Sequence, residues 1–427
     1  MQQQKRPEKK EQFKETELGL LPNSWEIVRL NDVSKLVMGQ SPPGETYNEN
    51  GNGMPFLQGK AEFSTIYPRH IKFTTKPLKI ATKDSVLISV RAPVGDVNIA
   101  NIDYCIGRGL ASISLNNGEN RFLFYLLTYF KPEIEKEGTG STFKAINKTK
   151  LQNFLIPYPL PIEQHKITYV LSTIQTAQEN TDKVITALRE LKKAMMKHLF
   201  MYGRVNLDET KNVEVLETGV GVIPESWNVR SLVELVEKTK QTDMRKNNNE
   251  FKYIDVSGID RNSLKIVEYN TFKGHEAPSR ARKIAKKDDV IIATVRPTLK
   301  RIALVGEEFD NEVCSTAFCV LRAKPQELDF EYMYYAIQRN EFIDNLGRIQ
   351  RGASYPAVTD SDVKNQKIPV PPVPEQQKIA IFLSTIDKKI DVEKNKKKSL
   401  DELFKSMLYN LMTAKTRVND MVMPNAE

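Results

Sequence analysis

One feature constrains this chain more than any other: it is written twice. Gly19-Leu20-Leu21-Pro22-Asn23-Ser24-Trp25 is matched by Gly221-Val222-Ile223-Pro224-Glu225-Ser226-Trp227, which sets the two tryptophans of the chain in register at an offset of 202. Asp84–Arg91 aligns with Asp289–Arg296 at an offset of 205, arginine on arginine. From Gly140–Ile174 to Gly352–Ile386 the offset is 212, and 14 of 35 positions are identical. Ordinary composition gives about two. A duplication of this size is expected to fold as two copies of one unit.

Both copies keep the same internal order. A Pro-Trp opening leads into β-branched runs, Ser85–Val90 and Val290–Val295, that read as strands. A short helical stretch follows, Phe122–Phe130 or Tyr332–Gln338, and then a Gly-containing loop, Gly138–Phe143 or Arg351–Tyr355. Next comes a proline frame, Ile156-Pro157-Tyr158-Pro159-Leu160-Pro161 or Ile368–Pro374, which holds the backbone extended and forbids helix until it ends.

Directly after each frame the apolar period becomes helical. The first stripe reads Ile167, Leu171, Ile174, Ala177, Val184, Leu188, Leu191, Met195 and Leu199, with polar Thr181 as an interruption. The second reads Ile379, Leu383, Ile386, Ile390, Leu400, Leu403, Met407 and Leu411, around the lysine-rich segment Asp391–Lys398. Glu163 and Glu375 lie in the first turns, where a carboxylate suits the helix dipole. Each stripe is far longer than an ordinary helix, and the two stand at equivalent places. The expectation is two long helices packed on each other, each about 60 Å at ~1.5 Å per residue.

The chemistry of an enzyme is missing from the pattern. There is no phosphate-binding Gly-x-x-x-x-Gly-Lys loop, no Gly-rich turn for a dinucleotide or adenosyl cofactor, and no Asn-Pro-Pro-aromatic or Asp-Pro-Pro-aromatic tetrapeptide. His70, His165, His198 and His275 are scattered without metal-ligand spacing, and Cys105, Cys314 and Cys319 suit neither a disulfide framework nor a zinc site. No apolar run is long enough for a membrane span, and Met1–Glu17 has no apolar core, so a cytoplasmic protein is expected.

Charge points to a partner instead. With 63 basic and 54 acidic residues the net charge is +9. The densest basic run is Pro278–Lys287, followed by Arg296, Lys300 and Arg301. The first copy has Arg69, Lys72, Lys76 and Lys79, then Arg91 and Arg108, with Lys144 and Lys148 in the rear loop. Guanidinium groups can clamp a phosphate or take guanine O6 and N7 together. The cations expected to meet a nucleic acid are Arg91, Arg108 and Lys144 in the first copy, and Arg280, Arg282, Arg296, Lys300 and Arg301 in the second. The segments Gly39–Phe73 and Thr239–Gly274 scarcely match. A shared scaffold with two dissimilar surfaces suits a reader of two different sites on one polymer.

These residues resemble the specificity subunit of type I restriction–modification enzymes. The resemblance rests on the Leu-Pro-x-Ser-Trp and Ile-Pro-x-Ser-Trp openings, on the strands ending in Val-Arg, and most specifically on the proline frames followed by Glu163-Gln164-His165-Lys166-Ile167 and Glu375-Gln376-Gln377-Lys378-Ile379. It runs from about Glu17 to Ala414. It implies an α/β (α+β) pseudo-twofold repeat: a tail at 1–16, recognition domain 17–161, helix 162–201, linker 202–217, recognition domain 218–373, helix 374–414 and tail 415–427. The N-terminal Gln2–Lys14 is expected to lack a counterpart in the second copy.

The resemblance further implies that each domain reads half of a bipartite asymmetric site on double-stranded DNA, while two antiparallel helices fix the gap. Ile167, Leu171, Ile174, Leu188, Leu191, Ile379, Leu383, Ile386, Leu403 and Met407 are expected on the helices that also dock two methyltransferase (modification) subunits. Restriction/translocase subunits would join through these. The chain itself would be non-catalytic, with S-adenosylmethionine, ATP and Mg2+ held by the partners. Two rival readings stay open: a coiled-coil scaffold that never touches DNA, and a chain that itself methylates or cuts DNA.

Overall fold

The computed structural model describes residues 12–138, 144–246 and 248–423. The loop residues 139–143 and most of the segment Gln2–Lys14, both singled out above, lie outside the described residues. The chain forms two compact units, Met1–Asp182 with Asn395–Glu427, and Lys183–Lys394. Each therefore takes part of both long helices rather than ending at a helix boundary.

In the first unit the strand Val86–Ser89 sits inside a four-stranded sheet, between Val97–Ile99 and Leu110–Leu115, with Ser34–Met38 at the far edge. A second sheet pairs Met54–Leu57 parallel to Tyr104–Ile106. The second unit repeats this plan. Val290–Ala293 lies between Ile302–Leu304 and Phe318–Leu321, and Glu250–Ile254 pairs parallel to Glu312–Ser315. The two segments that scarcely match in sequence thus supply equivalent strands to equivalent sheets. Both strands end in two consecutive buried residues, Phe56-Leu57 and Tyr253-Ile254, so burial at those ends holds the topology while the rest of each segment diverges.

The structure corrects the alignment of the strand arginines. The left-handed residues Asp84 (φ 64°) and Asp288 (φ 68°) superpose the strands at an offset of 204, not 205. The bridges Arg91↔Ala145 and Val295↔Ala357 then make Arg91 the counterpart of Val295, and Arg296 falls one residue beyond.

The amino-terminal expectation is also revised. Phe13–Thr16 pairs with Gly19–Pro22, and Val215–Thr218 pairs with Gly221–Pro224. Both hairpins turn on a glycine near +97°, Gly19 at 98° and Gly221 at 96°. In both a threonine hydroxyl donates to that glycine's carbonyl, Thr16 at 2.5 Å and Thr218 at 2.7 Å. The strand beginning at Phe13 therefore has a counterpart after all.

The long helices run Pro161–Tyr202 and Val373–Met412. Each starts where its proline frame, in the strands Leu155–Tyr158 and Lys367–Val370, leaves its antiparallel partner. A fully buried glutamine in the first turn fastens each helix to its domain. Gln164 donates to the Pro159 carbonyl at 2.9 Å and accepts from the Glu119 amide at 3.2 Å. Gln376 donates to Pro371 at 2.8 Å and accepts from the Asp329 amide at 2.8 Å. This is the physical reason for the glutamine of the Glu-Gln pair that follows each frame.

The helices pack antiparallel. In the first unit Gln178 donates to Asp401 at 2.8 Å and Lys397 to Asp182 at 2.6 Å; in the second Lys192 donates to Asp387 at 2.7 Å. The seam follows a strict heptad through 167, 171, 174, 178, 181, 185, 188, 192, 195 and 199, repeated 212 residues later from 379 to 411. Polar residues occupy it without breaking it. Thr181 is buried because its hydroxyl donates back to the Ala177 carbonyl at 2.8 Å, and Ile185, not Val184, is the buried neighbour. Val184, Leu191 and Leu403 therefore face outward, at 42%, 46% and 46% exposure.

The residues after the second helix are part of the first unit's core. Ala414 and Val418 are buried beside Trp25 and Leu171, and Lys166 donates to the Asn419 carbonyl at 2.7 Å. The expected tail 415–427 is thus docked as far as Met421, which packs on the same cluster.

Candidate nucleic-acid interface

In the first unit the sheet brings three predicted cations to one end. Ser89 pairs with Leu110, so the chain leaving the first strand at Arg91 lies beside the chain entering the other at Arg108. The Val90 amide donates to Gly109 at 2.9 Å, and the Arg91↔Ala145 bridge adds Lys144 next to it. Arg91, Arg108 and Lys144 are all exposed.

The equivalent end of the second unit collects different residues. Ala293 pairs with Phe318, the Thr316 amide donates to the Arg280 carbonyl at 2.8 Å, and the Arg296 amide donates to Pro356 at 2.7 Å. Arg280 and Arg296 are exposed there, with Arg351 and Tyr355 on the loop behind them. Arg296 lies over the Tyr355 ring, 4.9 Å from its centroid. Tyr355 was missed by counting charges; its only signal was an aromatic in the Gly-rich loop.

Three predicted cations are engaged within the fold. Arg301 is half-buried and donates to the carbonyls of Val256 and Ile259, tying two turns together. Lys300 donates to Asn340 at 2.8 Å, and Arg282 is 3.5 Å from Asp243 and donates to the Ser279 carbonyl. Asp243 is held down to about 2, first by its hydrogen bonds from Arg245 and with Arg282 adding to them. Runs of basic sequence overcount free cations because every other strand residue points inward. Lys283, buried between Phe318's carbonyl and the Asp360 carboxylate, is the extreme case.

The helix residues divide the same way. Ile167, Leu171, Ile174, Ile379 and Leu383 are buried in the cores of their own units; Leu188, Ile386 and Met407 are half-buried. Leu191 and Leu403 are the outward pair. No group of His, Cys, Asp or Glu among the described residues could hold a metal ion, and no helix is long and apolar enough to cross a membrane.

The family model for the type I restriction modification DNA specificity domain matches this chain twice, at residues 22–190 and 224–402. The chain belongs to that family. It is a DNA specificity subunit with two target-recognition domains, of a family that is non-catalytic. The putative type I restriction enzyme MjaX specificity subunit of Methanocaldococcus jannaschii is 47% identical over 46% of this chain and 47% of its own length. The type I restriction enzyme MjaVIII specificity subunit of the same organism is 24% identical over 97% of this chain and 98% of that relative. The crystal structure of the type I restriction-modification system S subunit from M. genitalium shares the fold, with a TM-score of 0.62 at 18% identity, over 91% of this chain and 96% of that one.

Proposed function

We propose that each target-recognition domain reads one half of a bipartite, asymmetric sequence on double-stranded DNA, and that the two long helices set the gap between the halves. What supports this most is the pairing of like scaffold with unlike surface. Equivalent sheet ends carry Arg91, Arg108 and Lys144 in one domain and Arg280 and Arg296 in the other. Lysines and arginines there neutralise phosphates, so affinity falls steeply with salt, by a log-log slope of about 0.9 per contact. A subset discriminates bases. Lys300, Arg301 and Arg282 serve mainly to shape the second surface.

The same helices dock two methyltransferase subunits on their outward faces. Two equivalent positions are apolar and exposed on both helices, Leu191 with Leu403 and Tyr169 with Ile381, which suits two identical partners. Restriction/translocase subunits join through these partners. S-adenosylmethionine, ATP and Mg2+ belong to the partner subunits, and the assembly works in the cytoplasm on chromosomal or invading DNA.

Genome-wide mapping of modified bases in cells with and without this chain tests the reading. A split motif that appears only with the chain is the expected result. An unchanged methylome alongside active methyltransferase subunits contradicts it.

A further inference from the structure

We infer that Arg296 and Tyr355 form one base-reading element in the second domain, with Tyr355 holding the Arg296 guanidinium in place for a guanine in the major groove. The inference rests on the DNA-recognition reading above and names the residues that deliver it.

Arg296 has no carboxylate partner among the described residues, whereas Arg282, Lys283, Lys287 and Arg322 each have one, and the nearby Lys300 and Arg301 are taken up by Asn340 and by main-chain carbonyls. The Arg296 guanidinium carbon instead lies over a tyrosine ring, 4.9 Å from the centroid, and one of its N–H groups donates to the Ser354 carbonyl at 3.1 Å. A guanidinium carries five N–H donors in a fixed fork, so one bond to a carbonyl leaves others for a bidentate acceptor, and the contact with the ring limits the rotamer freedom still to be lost. Guanine, with O6 and N7 side by side, is the base edge that fits such a fork.

The backbone supports the same conclusion. Arg296 lies in the left-handed region at φ 49°, a conformation that a non-glycine residue adopts only at a cost. Glycine would serve the turn better; the chain keeps a long cation there and holds it with the Arg296 amide bond to Pro356. The loop carrying Tyr355 is closed by reciprocal 2.9 Å bonds between Arg351 and Ala357. Its ring is 72% exposed and contributes nothing to a core. An exposed ring on a pinned loop, with an arginine over it that no described carboxylate neutralises, is a prearranged contact surface.

The test is the modified sequence in cells carrying the full-length chain as wild type, R296K, R296A, Y355F or Y355A. Wild type gives a split motif containing a G·C pair in the half read by the second domain. R296K and R296A should relax that one position roughly tenfold or more, leaving the other half unchanged. The remaining positions of the second half, if retained, show that the second domain is folded. Y355A should relax the same position less, because Tyr355 acts through Arg296, and Y355F, which keeps the ring, should behave as wild type. A motif unchanged in R296A and Y355A overturns the inference alone. So does a uniform loss at every sequence in R296K, the behaviour of a phosphate contact. No split motif with the wild-type chain overturns the DNA-recognition reading and this inference with it.

Discussion

Equivalent joints in the two units are built from different chemistry. In the first unit the Tyr125 hydroxyl donates to Gln175 on the first long helix at 2.7 Å, and its ring meets Phe404 of the second helix edge-on at 6.0 Å. In the second unit the Tyr335 hydroxyl donates to Asp387 at 2.8 Å, and Lys192 sits over the ring at 5.1 Å while bonding the same carboxylate. Gln175 and Asp387, like Lys192 and Phe404, stand 212 residues apart, so the helices have exchanged roles between the units. One joint is neutral and aromatic, the other ionic. The geometry of the domain-to-helix joint is what duplication preserved; its chemistry was free to drift once both partners drifted together.

Among the described residues a third contact is found in the first unit and not in the second. Glu163, nearly buried, accepts from Trp25 at 2.9 Å and from Arg417 at 2.9 Å. In the second unit the equivalent Glu375 makes no such bond with Trp227 among the described residues. Arg417→Ala should therefore have the largest effect, about 3 kcal/mol, because it leaves a buried carboxylate without its counter-charge. Hydrogen exchange should show that loss in the first unit and not in the second. Asp387→Ala should cost the second unit about 2 kcal/mol by stranding Lys192 and the Tyr335 hydroxyl. Gln175→Ala should cost the first about 1 kcal/mol, since only a neutral bond is lost. Equal costs in denaturant unfolding would mean that the ionic and neutral joints are energetically the same.

The smallest effect separates the joints by pH. Burial pushes Tyr125 up to about 12. Burial, followed by the neighbouring Asp387 carboxylate, pushes Tyr335 further up. Both folded values lie above the ordinary ~10, so the stability linked to these tyrosines is complete below about pH 10 and declines as pH rises past it. The decline should be steeper for the second unit. Tyr335→Phe should flatten it more than Tyr125→Phe does, in unfolding curves taken from about pH 9 to pH 12.

Much of this was legible in the sequence because it was written twice. The proline frames, the strands before them and both long helices stand where the repeat places them, since proline geometry and heptad spacing are local properties. Misreadings arose where a polar side chain does an apolar side chain's job. Thr181 and Lys397 lie in the seam, one satisfied by its own helix and the other by Asp182, so an apolar count shifted the phase onto Val184, Leu191 and Leu403. The strand Phe13–Thr16 was hidden because its side chains are mostly exposed and polar, and its pairing is carried by the main chain. Among the candidate contacts, Arg91, Arg108, Lys144, Arg280 and Arg296 share sheet ends through backbone pairing. The inward turn of Arg301 depends on carbonyls of Val256 and Ile259, some forty residues away, which no local pattern encodes.

The most direct measurement lengthens both rods together. One heptad inserted after Ile185 and one after the equivalent Lys397 keeps the seam in phase and adds about 10 Å, or roughly three base pairs. Mapping of modified bases should then return both original half-sites with the gap wider by about that amount. The original gap, with both half-sites retained, would contradict the spacer role of the helices.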